Sequence, residues 1–185
     1  NGWQTLSFDF SQQATGTAAF NNANTYSKAS VFFDFGAAGT GQTYYFDDLA
    51  YNKSTVEQVY SAPSNLKNAF NSASGIIDFG GSATSLVSTD APAGSSGSVI
   101  KAIKTQGAQT WAGSTIATLT DGEFIATGST TMSLRVYSPE AGKKVRLKVE
   151  DATDETKTVE TDALTTVANG WQTLSFDFSQ QATGT

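Results

Sequence analysis

The chain spells NGWQTLSFDFSQQATGT twice, as Asn1–Thr17 and again, without a mismatch, as Asn169–Thr185. Two copies of one strand-forming segment want the same slot in a sandwich, and only one can take it in a given domain. The copies start 168 positions apart. Solenoid repeats run at roughly 20 to 50 residues, so a unit of this length is a whole domain with its connection. The expected organisation is a window across a tandem array in permuted register. Residues 1–51 are the C-terminal part of one repeat, 52–73 (with SAPSN and NSAS) an inter-repeat linker, and 74–185 the N-terminal and central part of the next copy. Residues 74–168 followed by 1–51 then make one domain. Either 1–51 complete the domain begun at Ser74 in the same chain, or they complete a neighbour's. The second route is a head-to-tail contact that propagates unless it closes.

From Ile76 onward apolar residues alternate over short runs separated by Gly, Ser, Asp and Pro clusters, the period-2 signature of half-buried antiparallel strands. The pattern predicts strands over Ile76–Phe79, Thr84–Ser88, Ser98–Lys104, Gly113–Thr118, Thr131–Tyr137, Lys144–Glu150, Lys157–Asp162, Gln172–Phe178, Lys28–Phe35 and Thr43–Leu49, with Gln4–Phe10 as the duplicate of one of them. The fold class is all-β, a two-sheet antiparallel β-sandwich of the jelly-roll type. Val56–Tyr60 and Leu66–Phe70 are read as a helical turn or two each.

With 11 Lys plus Arg against 17 Asp plus Glu, the net charge of -6 excludes the basic stripe that a nucleic-acid partner requires. Cysteine and histidine are absent, which removes thiol nucleophiles, imidazole bases, disulfides and the usual zinc ligands. The longest apolar runs, around VFFDF and YYF, are far too short to insert in a bilayer. Richness in Thr, Ser, Ala, Asn and Gly with few Lys points to a secreted or cell-surface bacterial protein.

Alternation assigns faces. Val145, Leu147 and Val149 point one way, and Arg146, Lys148 and Glu150 the other; Leu134 and Val136 oppose Ser133, Arg135 and Tyr137. If these two strands pair, Arg135, Tyr137, Arg146, Lys148 and Glu150 share one outward face. The cluster is either part of a sugar-binding face, where cations suit uronic or sulfated sugars, or an ordinary set of cross-strand charge pairs.

In domain order, SGIIDFGG (Ser74–Gly81), TWAGSTI (Thr110–Ile116), TTMSLRVYSPEAGKKVRLKVEDA (Thr130–Ala152), NGWQTLSFDF (Asn169–Phe178), SVFFDFG (Ser30–Gly36) and TYYFDDLAY (Thr43–Tyr51) form a set of motifs. This set resembles the β-sandwich carbohydrate-binding modules appended to laminarinases and other secreted polysaccharide-degrading enzymes, mostly of marine bacteria. The resemblance implies a non-catalytic sugar binder, often in tandem, and related jelly rolls commonly hold a structural calcium ion. Asp47, Asp48 and Asp78 are the candidate calcium ligands, because a jelly roll brings these ends of the domain together and carboxylates are hard oxygen donors. Their alternative role is as solvated charges at strand ends.

An aromatic ring stacks on the apolar C–H face of a pyranose while polar neighbours reach its hydroxyl rim. Trp3 and Trp171 occupy equivalent positions after an Asn-Gly turn and read as rim residues packed on the sandwich edge. Trp111 sits in a polar loop before two small residues and is the better platform, with a core role as its alternative. Paired carboxylates such as Glu150 and Glu160 occur in any acidic chain, and nothing in their spacing argues for catalysis. The expected function is therefore a non-catalytic module binding an extracellular polysaccharide: a β-glucan by the resemblance, or an acidic marine glycan by the cationic strand face. The alternative is a structural repeat of a secreted adhesin or filament, whose partners are neighbouring copies of itself.

Overall fold

The computed structural model describes residues 16–51, 66–68, 75–95 and 97–179. They fold as two antiparallel sheets with no helix. The first sheet runs β10 (Asp154–Leu164), β9 (Lys144–Asp151), β1 (Lys28–Phe33), β7 (Gly113–Thr118), β4 (Ile77–Phe79). The second runs β11 (Gly170–Asp177), β8 (Thr131–Ser138), β2 (Gln42–Tyr51), β6 (Val99–Lys104), β5 (Ser82–Val87), with β3 (Leu66–Asn68) added beside β2. Consecutive strands mostly cross between sheets; β2–β3, β5–β6 and β9–β10 stay within one.

All ten strands expected between Lys28 and Phe178 are present; eight of them bury an apolar face against the partner sheet, and the edge strands β4 and β5 bury no residue. In β9, Val145, Leu147 and Val149 are completely buried and meet β1 in the register Val31↔Leu147 and Phe33↔Val145. Phe33 then spans the interior to the second sheet, stacking on Tyr44 at 4.8 Å and leaning on Phe46 at 5.9 Å. Side chains of this size contribute about 1.5–3 kcal/mol each on full burial, so β1 and β2 form the centre of the hydrophobic core.

β1 and β2 precede β4–β11 in sequence yet lie in the middle of the two sheets, paired to strands of their own chain. The slot beside β8 is taken by the second copy of the duplicated segment, as β11. The expected strand Gln4–Phe10 of the first copy lies outside the described residues, as do Trp3 and the helical turn expected at Val56–Tyr60. The other expected turn, from Leu66, is corrected: Leu66–Asn68 pairs with Leu49–Tyr51 as a strand. The end of β2 extends past the part paired to β6 and offers free backbone groups there; such a partner overrides a weak local helix preference.

Two features of β2 explain its acidic pair. Tyr44 and Phe46 face the core, and so do Leu49 and Tyr51, an odd spacing that strict alternation forbids. A bulge between Asp47 and Ala50 absorbs the extra residue, with Asp48 in the left-handed region at φ 50°. Asp tolerates that conformation better than most residues.

Candidate functional site

The outer face of the first sheet carries a groove of about 410 Å³ that draws residues from all five of its strands. Its floor begins on β1, where Lys28, Ser30 and Phe32 alternate outward against Ala29, Val31 and Phe33. Ser30 meets Thr115 of β7 through a hydroxyl–hydroxyl hydrogen bond of 3.1 Å, and both line the groove.

One wall is aromatic. Phe32 packs edge-on against Phe35 at 5.6 Å and Phe79 at 5.5 Å. Phe79 in turn lies nearly parallel to Trp111, 6.4 Å away at 19°. Four rings thus form one continuous surface, ending in Trp111, which is 50% exposed. An apolar side chain of that size left open at the edge of a cleft is available for a ligand.

The other wall is charged and internally paired. Glu150, only 5% exposed, receives Lys28 on one oxygen and Lys148 on the other, each at 2.5 Å. Burial pushes the Glu150 pKa up, but the hydrogen bonds and charges of Lys148 and Lys28 outweigh it and hold the group below its ordinary value. Beside it, the Arg146 guanidinium grips Asp162 through two hydrogen bonds of 2.7 and 2.9 Å and Glu160 through one of 2.9 Å. Burial opposes the charge on Arg146, while Asp162 and Glu160 more than restore it, leaving its pKa raised. Its carbon centre sits 3.8 Å over the Phe35 ring, tying the charged wall to the aromatic one.

The structure therefore brings together Trp111, Lys148 and Glu150 in the groove, with Arg146 against its aromatic wall. Arg135 and Tyr137 are elsewhere. The premise that Thr131–Tyr137 and Lys144–Glu150 are neighbours is corrected, because β8 belongs to the second sheet and β9 to the first. The segment between them crosses the sandwich instead of turning back. On the outer face of the second sheet, Tyr45, Tyr137 and Trp171 stand in register across three strands. Adjacent rings are edge-on at 5.7 and 5.8 Å. Arg135 lies 4.0 Å over the Trp171 ring and donates to the Gly94 carbonyl at 2.5 Å, so Trp171 is packed on the edge strand β11 and is 9% exposed. Burial lowers the Arg135 pKa, opposed by Asp48 and Asp47.

Asp78 and the Asp47–Asp48 pair lie on strands of different sheets. Asp78 is on β4 of the first sheet; its Oδ1 accepts from the Ser114 hydroxyl at 2.7 Å and its Oδ2 from the Thr84 amide at 2.8 Å and hydroxyl at 3.1 Å. It thereby closes the corner where β4 leads into β5. Asp47 and Asp48 lie on β2 of the second sheet, at the bulge opposite β8. Among the described residues no group of three or more acidic side chains converges in the manner of a metal site.

Sequence reasoning did not single out Lys28, Phe32, Phe35, Phe79 or Glu155, all of which line the groove. A signal existed for two of them: in KASVFF, period-2 alternation that sends Val31 and Phe33 inward sends Lys28 and Phe32 outward together. No family model, curated protein or solved structure matches the chain.

Proposed function

We propose that the chain is a non-catalytic module that binds a neutral polysaccharide along the outer face of the first sheet. The observation that carries this reading is the pairing, across one groove, of a four-ring aromatic wall ending in the half-exposed Trp111 with a wall of hydrogen-bonding side chains. A pyranose has the same two-sided character, an apolar ring face and a polar rim. The resemblance noted in the sequence supports the same reading and adds β-glucan as the first ligand to try.

The charges favour a neutral glycan over an acidic one. Lys28 and Lys148 are both engaged by Glu150, and Arg146 by Asp162 and Glu160, while Glu155 also lines the groove. An anionic sugar would have to break these pairs or lie beside carboxylates, at a cost in either case. Glu150 is held ionised by two lysines, the opposite of the raised pKa that a general acid for glycoside cleavage needs.

The test is affinity electrophoresis of the chain through gels containing laminarin, xylan, cellulose derivatives, agarose or alginate. Retardation by a neutral glucan and not by alginate supports the proposal. Retardation by alginate alone would replace it with acidic-glycan binding, and free migration through every gel would favour the structural-repeat alternative.

A further inference from the structure

Lys104 is the last residue of β6 and faces inward with Ile100 and Ala102, a position where alternation calls for an apolar side chain. It is 3% exposed. Its ammonium crosses from the second sheet to the end of the first and donates to three backbone carbonyls: Phe33 at 3.1 Å, Asp34 at 2.9 Å and Thr110 at 3.2 Å. An ammonium group has three N–H donors and no acceptor, so this cage uses it completely. The acceptors lie at the end of β1 and on the two connections that carry the ends of the aromatic wall. Phe33 and Asp34 immediately precede Phe35, and Thr110 immediately precedes Trp111.

Other bonds close the same hub. The Thr110 carbonyl also accepts the Gly36 amide at 3.0 Å, linking the two connections directly. Asp34, in the left-handed region at φ 48°, offers its carboxylate to Lys143 at 3.3 Å while its carbonyl goes to Lys104. Three carbonyl dipoles pointed at one interior spot repel one another unless a cation or a set of donors sits between them.

We propose that Lys104 is a positioning residue for the groove, an internal cation that clamps the Phe35 and Trp111 connections together and sets the spacing between the two ends of the aromatic wall. This rests on the groove being the binding site, but the clamp itself is read without any glycan. Burial lowers the Lys104 pKa and Asp34 counters it, so the three carbonyl hydrogen bonds and not the burial favour the ammonium.

The experiment compares the wild-type chain with Lys104→Met, which keeps the length of the side chain and removes all three donors. Two readouts are followed by NMR: amide hydrogen exchange, and the indole N–H resonance of Trp111, identified by its loss in Trp111→Phe. The clamp requires Gly36 to exchange at least tenfold faster in Lys104→Met, with Leu147 in the core unchanged, and the Trp111 indole resonance to move while that of Trp171 does not. Unchanged Gly36 exchange and an unmoved Trp111 resonance would overturn it, and so would equal acceleration at Gly36 and Leu147, which marks a general loss of stability. If Lys104→Met does not fold, Lys104→Ala is refolded with propylammonium or with tetramethylammonium, which has no N–H. Recovery with propylammonium alone supports the clamp; recovery with both, or with neither, contradicts it. Gel retardation on the best-retained glycan is measured in parallel. A wild-type chain that binds no glycan sinks the groove reading while leaving the two NMR outcomes to decide the clamp.

Discussion

Trp111 lies nearly parallel to Phe79, with ring centres 6.4 Å apart and planes inclined by 19°. One side of the indole is thus occupied by the protein's own aromatic wall, and half of the side chain remains open to solvent. Phe79 backs the platform. Replacing it by Ala removes a ring–ring contact of about 0.5–1.5 kcal/mol and lets the indole tilt. Phe79→Ala is expected to weaken glycan retention by a factor of about 2 to 10, with Trp111 still present; retention equal to the wild type would show that the stacking does not matter.

Gly80 adjoins this pair in the left-handed region at φ 64°, and a Cβ there would sit 2.9 Å from the Trp111 ring and 3.0 Å from Ala112 Cα. Gly142 has a similar conformation, φ 76°, with open space around it. The two therefore separate backbone strain from contact with the platform. Both Gly→Ala changes are expected to cost about 1–2 kcal/mol of stability, measured by denaturant unfolding, and only Gly80→Ala should also reduce glycan retention. Equal retention in the two variants would detach Trp111 from the site.

Arg146 joins two carboxylates to the Phe35 ring from a position that is 3% exposed. Arg146→Met leaves Asp162 and Glu160 facing each other without their shared cation, an expected loss of about 2–4 kcal/mol. Arg146→Lys keeps the charge but cannot make the two-pronged bond to Asp162, so it is expected to recover less than half of that loss. Full recovery by Lys would mean that charge alone, and not the fork, holds this wall.

Glu150 gives the groove a pH dependence with a definite sign. Its folded pKa is held below the ordinary 4.5, so between the two values the unfolded chain binds more protons and stability rises with pH. The stabilisation is fully present above 4.5 and is lost as pH falls through the lower folded value. The expected result is a gap of about 1–3 kcal/mol between the wild type and Glu150→Gln at neutral pH, closing under acid conditions. A gap that stays constant as the pH is lowered would contradict the ion-paired arrangement.

The strands were legible because each carries its own pattern. Val145, Leu147 and Val149 alternate with charge, and so do Leu134 and Val136, and all five are fully buried. Which strands pair was not legible, because period-2 alternation marks the buried face of a strand and says nothing of its neighbour. The short PEAGK link between β8 and β9 suits a hairpin as well as a crossing, and it crosses. That one difference places Arg135 and Tyr137 on one outer face and Arg146, Lys148 and Glu150 on the other. Burial of outward-facing polar groups was hidden for a related reason: Arg146 and Glu150 are covered by ion partners and rings contributed from β1 and β10 and from the connection after β1. The exposure of Trp111 was legible from its polar loop, while Phe79 and Phe35 join the groove wall only when the sheet aligns them. The bulge at Asp47–Asp48 left a trace, the odd spacing between Phe46 and Leu49, yet an acidic pair at a strand end reads equally well as a ligand set.

The most direct measurement is calorimetric titration of a soluble oligosaccharide of the best-retained glycan into the wild type, Trp111→Ala and Tyr45→Ala, the last altering the outer face of the opposite sheet. The groove account expects Trp111→Ala to lose at least about tenfold in affinity, or ~1.4 kcal/mol, and Tyr45→Ala to bind as the wild type does. Loss of binding in Tyr45→Ala with Trp111→Ala unaffected would place the site on the other sheet and contradict the account.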